Sequence, residues 1–360
     1  MRPSLLLPLL AVALGSAAAQ PAVVAGTVRD ADGTPLPGAS VYLSGTTRGT
    51  SADAGGRFRL EAVPPGAYRV VGSMVGFAPD VRELRLAPGA QAAVDLSLAP
   101  ATRTLGDVGV EAERDGRWAR RLAWFEKALL GESANADSTH VLNPEVLDLR
   151  VRWGELRAEA TAPLVIENRA LGYRLTYDLH AFRASATSVR YDGDEHFEAM
   201  APASPAQAER WAAARARAYR GSLAHLLQSL LVGTAEAEGY SFEIAREDTY
   251  GAWRTVRAPT RWLMDVDADG WGTLRVRGRL DVTYAGEPEE PAYLRSEWFR
   301  EPRRRPDSAQ RSSLTVDRGR ARVDPQGTPE DPFSISTSGH QAFERLADRV
   351  PEDYRPPPDL

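Results

Sequence analysis

Between residues 25 and 98 the chain turns about every ten residues, and between the turns its apolar side chains fall two apart. Val24, Gly26 and Val28 run into Asp32-Gly33, and Ala39, Val41 and Leu43 follow. Gly55-Gly56 precedes Phe58 and Leu60, Pro64-Pro65-Gly66 precedes Tyr68, Val70 and Gly72, and Pro88-Gly89 precedes Val94, Leu96 and Leu98. In a strand, side chains two apart share a face, so this pattern gives each strand one buried and one solvated side. Short strands punctuated this regularly predict a seven-stranded antiparallel β-sandwich over residues 20–100. The prolines fit, because they fall at strand edges where a missing N–H does little harm.

The same residues carry a family pattern. Gly26 to Leu43 reads G-T-V-x-D-x-x-G-x-P-L-P-G-A-S-V-x-L, Ser51 to Leu60 reads S-A-D-x-x-G-x-F-x-L, and Val63 to Tyr68 reads V-P-P-G-x-Y. This run resembles the carboxypeptidase regulatory-like domain, a transthyretin-like sandwich of exported Bacteroidetes-type proteins. The resemblance implies an accessory module without catalytic residues, one that accompanies metallocarboxypeptidases or precedes the plug of TonB-dependent transporters. Neither companion fits the rest of the chain. A zinc carboxypeptidase holds its metal with His and Glu three apart plus a distant His, and none of the five histidines has a Glu three residues on. A transporter barrel needs more strands than the remaining length provides. Leu105 to Val110, which is similar to the strand that follows the module in such transporters, reads as a linker strand.

The chain begins with Met1-Arg2, an apolar run from Leu5 to Leu14, and Ala17-Ala18-Ala19, the order of a secretory signal peptide with cleavage after Ala19. No later stretch approaches the length of a membrane span. The expectation is an exported protein, in the periplasm or at the cell surface, with no transmembrane segment after signal removal. There are no cysteines, which removes thiolate metal sites, a cysteine nucleophile and disulfides. The formal net charge of −5 is too mild to suggest an acidic or basic polymer as partner, and nucleic acid is not expected to bind an exported, net-acidic chain. Lys127 is the lone lysine; a GC-rich coding bias explains the excess of arginine without any special role for guanidinium.

Residues 101–116 read as a polar linker, 117–356 as a strand-rich second α+β domain with a few helices, and 357–360 as a tail. Trp118, Leu122, Phe125 and Leu129 recur at helical spacing up to Gly131. Alternation returns from Leu147 to Phe182. Residues 203–232 then read as two helices broken at Gly221-Ser222, with Ser222 capping the second and Leu223, Leu226, Leu227, Leu230 and Leu231 facing the core. Strands resume at Phe242, and Ala342 to Arg349 predicts a short terminal helix. Blocks such as Pro163-Leu164-x-Ile166-x-Asn168-x-x-Leu171-Gly172-Tyr173 and Tyr219-x-Gly221-Ser222-x-x-His225-Leu226-Leu227 resemble exported proteins known only for carrying the regulatory-like domain, a resemblance that implies no reaction.

Several groups of residues bear on function. Asp265-x-Asp267-x-Asp269-Gly270 copies the start of a calcium loop, but its twelfth position is Val276 where a bidentate Glu should stand, so a polar hairpin turn is expected. Asp192-Gly193, between Tyr191 and Phe197 and beside Asp194, Glu195 and His196, reads as another hairpin turn with charged edges. His225 lies in a leucine-rich helix with Ser222 three residues before it and Tyr219 a turn further back, a group able to bind a ligand or, with a carboxylate, to do hydrolytic chemistry. Asn168, Tyr173 and Tyr177 lie on one strand block, and the two tyrosines share a face that suits either a core wall or a platform for a sugar ring. Arg303 to Arg305 reads as a solvated loop. The expected function is non-enzymatic: an accessory sandwich plus a second domain that binds a glycan, peptide or envelope protein, without metal, cofactor or assigned catalytic residue. The alternative is a hydrolase centred on His225.

Overall fold

The computed structural model describes residues 20–100, 116–247, 253–296 and 305–357. The predicted signal peptide, the linker residues 101–115 with Leu105 to Val110, Arg303-Arg304 of the basic run and the last three residues of the tail lie outside the described residues. The chain is mainly β. No helix among the described residues is long and apolar enough to cross a membrane.

The N-terminal alternation folds into two four-stranded sheets. In one, Ala22–Asp30 lies between Arg57–Val63 and the pair Gln91–Ala93 and Leu96–Leu98; the other is ordered Gly49–Ser51, Ser40–Leu43, Gly66–Ser73, Asp80–Leu86. Val24, Val28, Val41, Leu43, Phe58, Leu60, Val70, Leu96 and Leu98 form the core between them, as the period of two requires. The seventh strand is interrupted at Val94-Asp95, where the Asp95 carboxylate accepts the Thr27 N–H at 3.0 Å and the Thr27 hydroxyl at 2.7 Å in place of a backbone ladder. Both of its pieces run parallel to the first strand, because the chain crosses from one sheet to the other after Leu86; every other pair in the sandwich is antiparallel.

Residues from 116 onward build two further cores. In the second core of the molecule, after that of the sandwich, Tyr173–Ala184 is the central strand of a six-stranded sheet, with Val189–Ala199 along its whole length on one side. Helix α1 (Gly116–Leu130) lays Phe125 and Leu129 on this sheet, with the Phe125 ring 4.7 Å from Phe182. Helix α2 (Pro205–Tyr219), capped by Ser204, is pinned to the turn before Tyr173: the Trp211 Nε1–H donates to Arg169 O at 2.8 Å and Arg215 donates to Leu171 O and Gly172 O. The third core lies under a five-stranded sheet, ordered Trp253–Arg257, Tyr240–Glu247, Arg279–Tyr284, Gln310–Val316, Ile335–Gly339, and a three-stranded one of Met264–Val266, Gly272–Arg275 and Arg320–Val323. Helix α3 (Leu223–Val232) fills it with Leu226, Leu227 and Leu230. The predicted helix from Ala342 to Arg349 forms only as a turn at each end, α4 (His340–Phe343) and a 3₁₀ turn (Leu346–Asp348), because the Asp348 side chain accepts the Arg345 N–H between them.

Asp192-Gly193 is not a hairpin turn. The reversal lies at Ser185–Ser188, where Ser185 N–H bonds Ser188 O at 2.8 Å, and Asp192-Gly193 lies within the strand Val189–Ala199 at a bulge opposite Leu179 and Ala181. Glycine is needed there for contact rather than for turning: a Cβ on Gly193 would stand 2.4 Å from Asp178 O and 2.7 Å from the Tyr177 ring.

That strand is the edge of its sheet, and the sandwich covers it. Gly45 N–H donates to Glu195 O at 2.7 Å and Phe197 N–H to Thr46 O at 3.1 Å, so a sandwich loop extends the ladder and blunts the edge. Ion pairs surround the joint. Arg69 reaches the fully buried Asp194 at 2.8 Å and donates to Gly193 O at 2.7 Å, while Arg349 meets Glu195 at 2.7 Å. Residues 349–355 then run along the seam: Glu352 N–H donates to Gly45 O, Asp353 accepts the Thr47 N–H and hydroxyl, and Arg355 donates to Gln326 O. A second joint forms where Asp324 of the third core accepts the Ala67 N–H at 3.0 Å and Arg85 pairs with Glu330 while lying 4.8 Å over the Trp271 ring.

Candidate functional site: the His225 cluster

His225 is 7 % exposed, in the first turn of α3. Its surroundings follow from the break between α2 and α3. Gly221 at φ 76 turns the chain, and a Cβ there would lie 2.3 Å from Gln310 Oε1, so the position admits glycine alone. That turn aims the Gly221 N–H at His225 Nδ1, 3.1 Å away, and the Tyr240 hydroxyl meets the same nitrogen at 2.9 Å. Nδ1 is therefore the acceptor, and Nε2 carries the proton toward Glu238 Oε2 at 2.6 Å. Burial holds the imidazole below its usual value, against the opposing pull of Glu238. Thr234 in turn donates to the other oxygen of Glu238.

Three tyrosines wall the ring. Tyr219 lies 5.1 Å from it, Tyr240 5.3 Å, and Tyr284 stands edge-on at 5.6 Å. Burial pushes the Tyr284 hydroxyl up to about 12 and that of Tyr240 well above its ordinary range, so both stay neutral. Ser222 caps α3 as its sequence position predicts: its Oγ accepts the His225 N–H at 3.2 Å and donates to Tyr219 O at 2.6 Å. The structure thus brings Tyr219, Ser222 and His225 together and adds Gly221, Glu238, Tyr240 and Tyr284. Ser222 engages the backbone of His225, not its ring. Both nitrogens of the imidazole are occupied, and the cluster meets solvent through Glu238, its side chain 39 % exposed, and the half-buried Ser222. The arrangement suits holding α3 against the Tyr240–Glu247 and Arg279–Tyr284 strands; a base for chemistry would need a free nitrogen facing a cleft.

The other candidates lie elsewhere. Asn168 is buried, donating to Ala347 O at 2.8 Å and accepting the Leu171 N–H at 2.9 Å. Tyr173 and Tyr177 are core residues: Tyr173 meets Phe197 edge-on at 5.6 Å with the Arg215 guanidinium 4.0 Å from its ring, and Tyr177 is 1 % exposed. At Asp265 to Gly270 a hairpin turn forms, in which Asp267 accepts the Asp269 and Trp271 N–H groups and faces Arg322, while Asp265 pairs with Arg275. Among the described residues no three Asp, Glu, His or Cys side chains converge as metal ligands.

Residues 23–99 match the model of the carboxypeptidase regulatory-like domain. No curated protein matches the chain. Solved structures similar to it include a catechol 1,2-dioxygenase from Acinetobacter sp. (16 % identity, 24 % of this chain and 55 % of that one, TM-score 0.21). Another is a cohesin–X-dockerin complex from Acetivibrio cellulolyticus (16 % identity, 22 % and 58 %, TM-score 0.20). A third is a candidate carbohydrate-binding protein from Bacteroides uniformis (12 % identity, 44 % and 58 %, TM-score 0.19). This chain spans under two thirds of each, and TM-scores this low carry no argument about ligand or reaction. The family match and the two-sheet architecture together identify residues 23–99 as a carboxypeptidase regulatory-like domain.

Proposed function

We propose that this is an exported, non-enzymatic envelope protein in which the regulatory-like sandwich is a fixed structural partner and the part beyond residue 116 binds a glycan, peptide or protein ligand. The observation that supports the non-enzymatic reading is the bonding of the His225 cluster: the imidazole is buried with both nitrogens engaged, and the Ser222 hydroxyl bonds backbone groups rather than the ring. The seam supports the second part, since a sandwich held by buried ion pairs serves as support rather than as a swinging arm. A glycan array and a pull-down with the intact chain are expected to return a ligand at micromolar level. A panel of ester, peptide and glycoside substrates that the intact chain turns over, and that His225→Ala does not, would replace this reading with the hydrolase.

A further inference from the structure

We propose that the arginine-lined face of the third core is a binding site for an acidic glycan, one whose sugar rings carry carboxylates; the proposal rests on the binding reading above and names its ligand class. Two adjoining troughs of about 510 and 280 Å³ share Ile244, Arg246 and Trp262. Arg275, Arg277, Arg318 and Arg320 line the larger, and Arg254 and Arg257 the smaller. Neither lining contains an Asp or Glu, in a chain whose formal charge is −5.

The register shows what this placement costs. Arg275 stands directly across from Arg320, and Arg246 directly across from Arg254. Like charges in directly opposed positions destabilise a sheet, and here two such pairs flank one depression. Arg277 and Arg320 make no ion pair among the described residues, whereas Asp265 pairs with Arg275 and Asp317 with Arg318, both exposed. Arg254 has a partner of its own, and Asp317, Glu330 and Asp331 line the next depression beyond Arg318 and Arg320. Arg318 also holds a positive φ of 50, which a β-carbon disfavours. The floor is apolar and open, with Trp262 57 % and Val256 60 % exposed.

A planar indole beside several guanidinium forks matches a sugar ring bearing a carboxylate. The ring's C–H face stacks on the indole, and each carboxylate accepts two parallel N–H bonds from an arginine. A chain of such sugars would meet the arginines in series and relieve both opposed pairs. An acyl chain would need an enclosed tunnel, and the troughs are open to solvent.

The test is titration of the intact chain with polygalacturonate at low and high salt, beside polyglutamate, neutral dextran and phosphatidylglycerol vesicles. Polygalacturonate is expected to bind, to weaken as salt rises, and to lose about tenfold in affinity in the Arg277→Ala, Arg320→Ala double variant. Trp262→Ala, which keeps every charge, is expected to weaken polygalacturonate about fivefold and leave polyglutamate unchanged. The double variant should melt no lower than the parent, which separates lost binding from lost fold. Binding of polyglutamate or vesicles as tight as that of polygalacturonate, or indifference to Trp262→Ala, overturns the proposal. If polygalacturonate is ignored while the array or pull-down returns another ligand, this site fails and the broader reading stands; if nothing is bound at all, both fall.

Discussion

Arginine has two opposite roles in this molecule. At the seam, Arg69 and Arg349 each face a buried carboxylate, and the Arg69 guanidinium also reaches a backbone carbonyl. In the troughs of the third core, arginine faces arginine across paired strands, and neither trough lining contains an acid. The residue type is the same; the difference is that Arg69 and Arg349 are engaged by buried carboxylates, while Arg277 and Arg320 make no ion pair among the described residues. The His225 cluster belongs with the seam, since its donors and acceptors are matched internally. Side chains suited to chemistry or recognition point to function only where some of their bonding capacity is left over.

The contrast can be broken at either end. Arg69→Ala should have the largest effect, because it leaves Asp194 buried without its closest cation; a loss of about 3–5 kcal/mol is expected in denaturant titration. A loss below about 1 kcal/mol, the value typical of an exposed pair, would erase the distinction between seam and trough. His225→Leu comes next. It strands the Tyr240 hydroxyl and the Gly221 N–H and should cost about 2–3 kcal/mol with unchanged ligand binding.

Glu352 tests the seam through pH. Burial raises its carboxyl from 4.5 to about 7, so between those values the folded state keeps a proton that the unfolded chain has released. Stability from this group is therefore greatest below pH 4.5 and falls as pH rises to about 7. Asp348, raised by burial from 3.8 to about 6, acts in the same direction over a lower window. Glu352→Gln should flatten the profile and gain about 2 kcal/mol at pH 8, less than the full shift implies because a quarter of the side chain reaches solvent. The smallest effect belongs to the trough. Arg320→Thr removes an opposed like charge and should raise stability by about 0.3 kcal/mol, a gain that high salt reduces.

The sandwich was legible because its whole signal is local: side chains two apart face one core, and turn residues mark every reversal. The same holds for Phe125 and Leu129 on α1 and for the Ser222 cap with its leucine face, where the information spans one or two helical turns. Asp192-Gly193 misled because its glycine serves the Tyr177 ring on the neighbouring strand, a contact that a turn-forming dipeptide does not encode. Glu238, Tyr240 and Tyr284 reach His225 from a loop and two strands at unrelated spacings, so no periodicity marked them. The opposed arginines were invisible for a related reason. Arg275 and Arg320 each occupy an ordinary outward position, and only the register of their strands makes them neighbours.

Residues 349–355 bridge the sandwich, the edge strand of the second core and Gln326 of the third. That gives the protein an order of assembly. The sandwich is made before them, and its joint with the edge strand is completed only when these later residues have been added. Until then Glu195 lacks Arg349 and Thr47 lacks Asp353. Acids and arginines are well suited to such a wait, because an unpaired charge is hydrated where an unpaired leucine would invite aggregation. The charged seam thus protects the nascent chain before it joins the finished one.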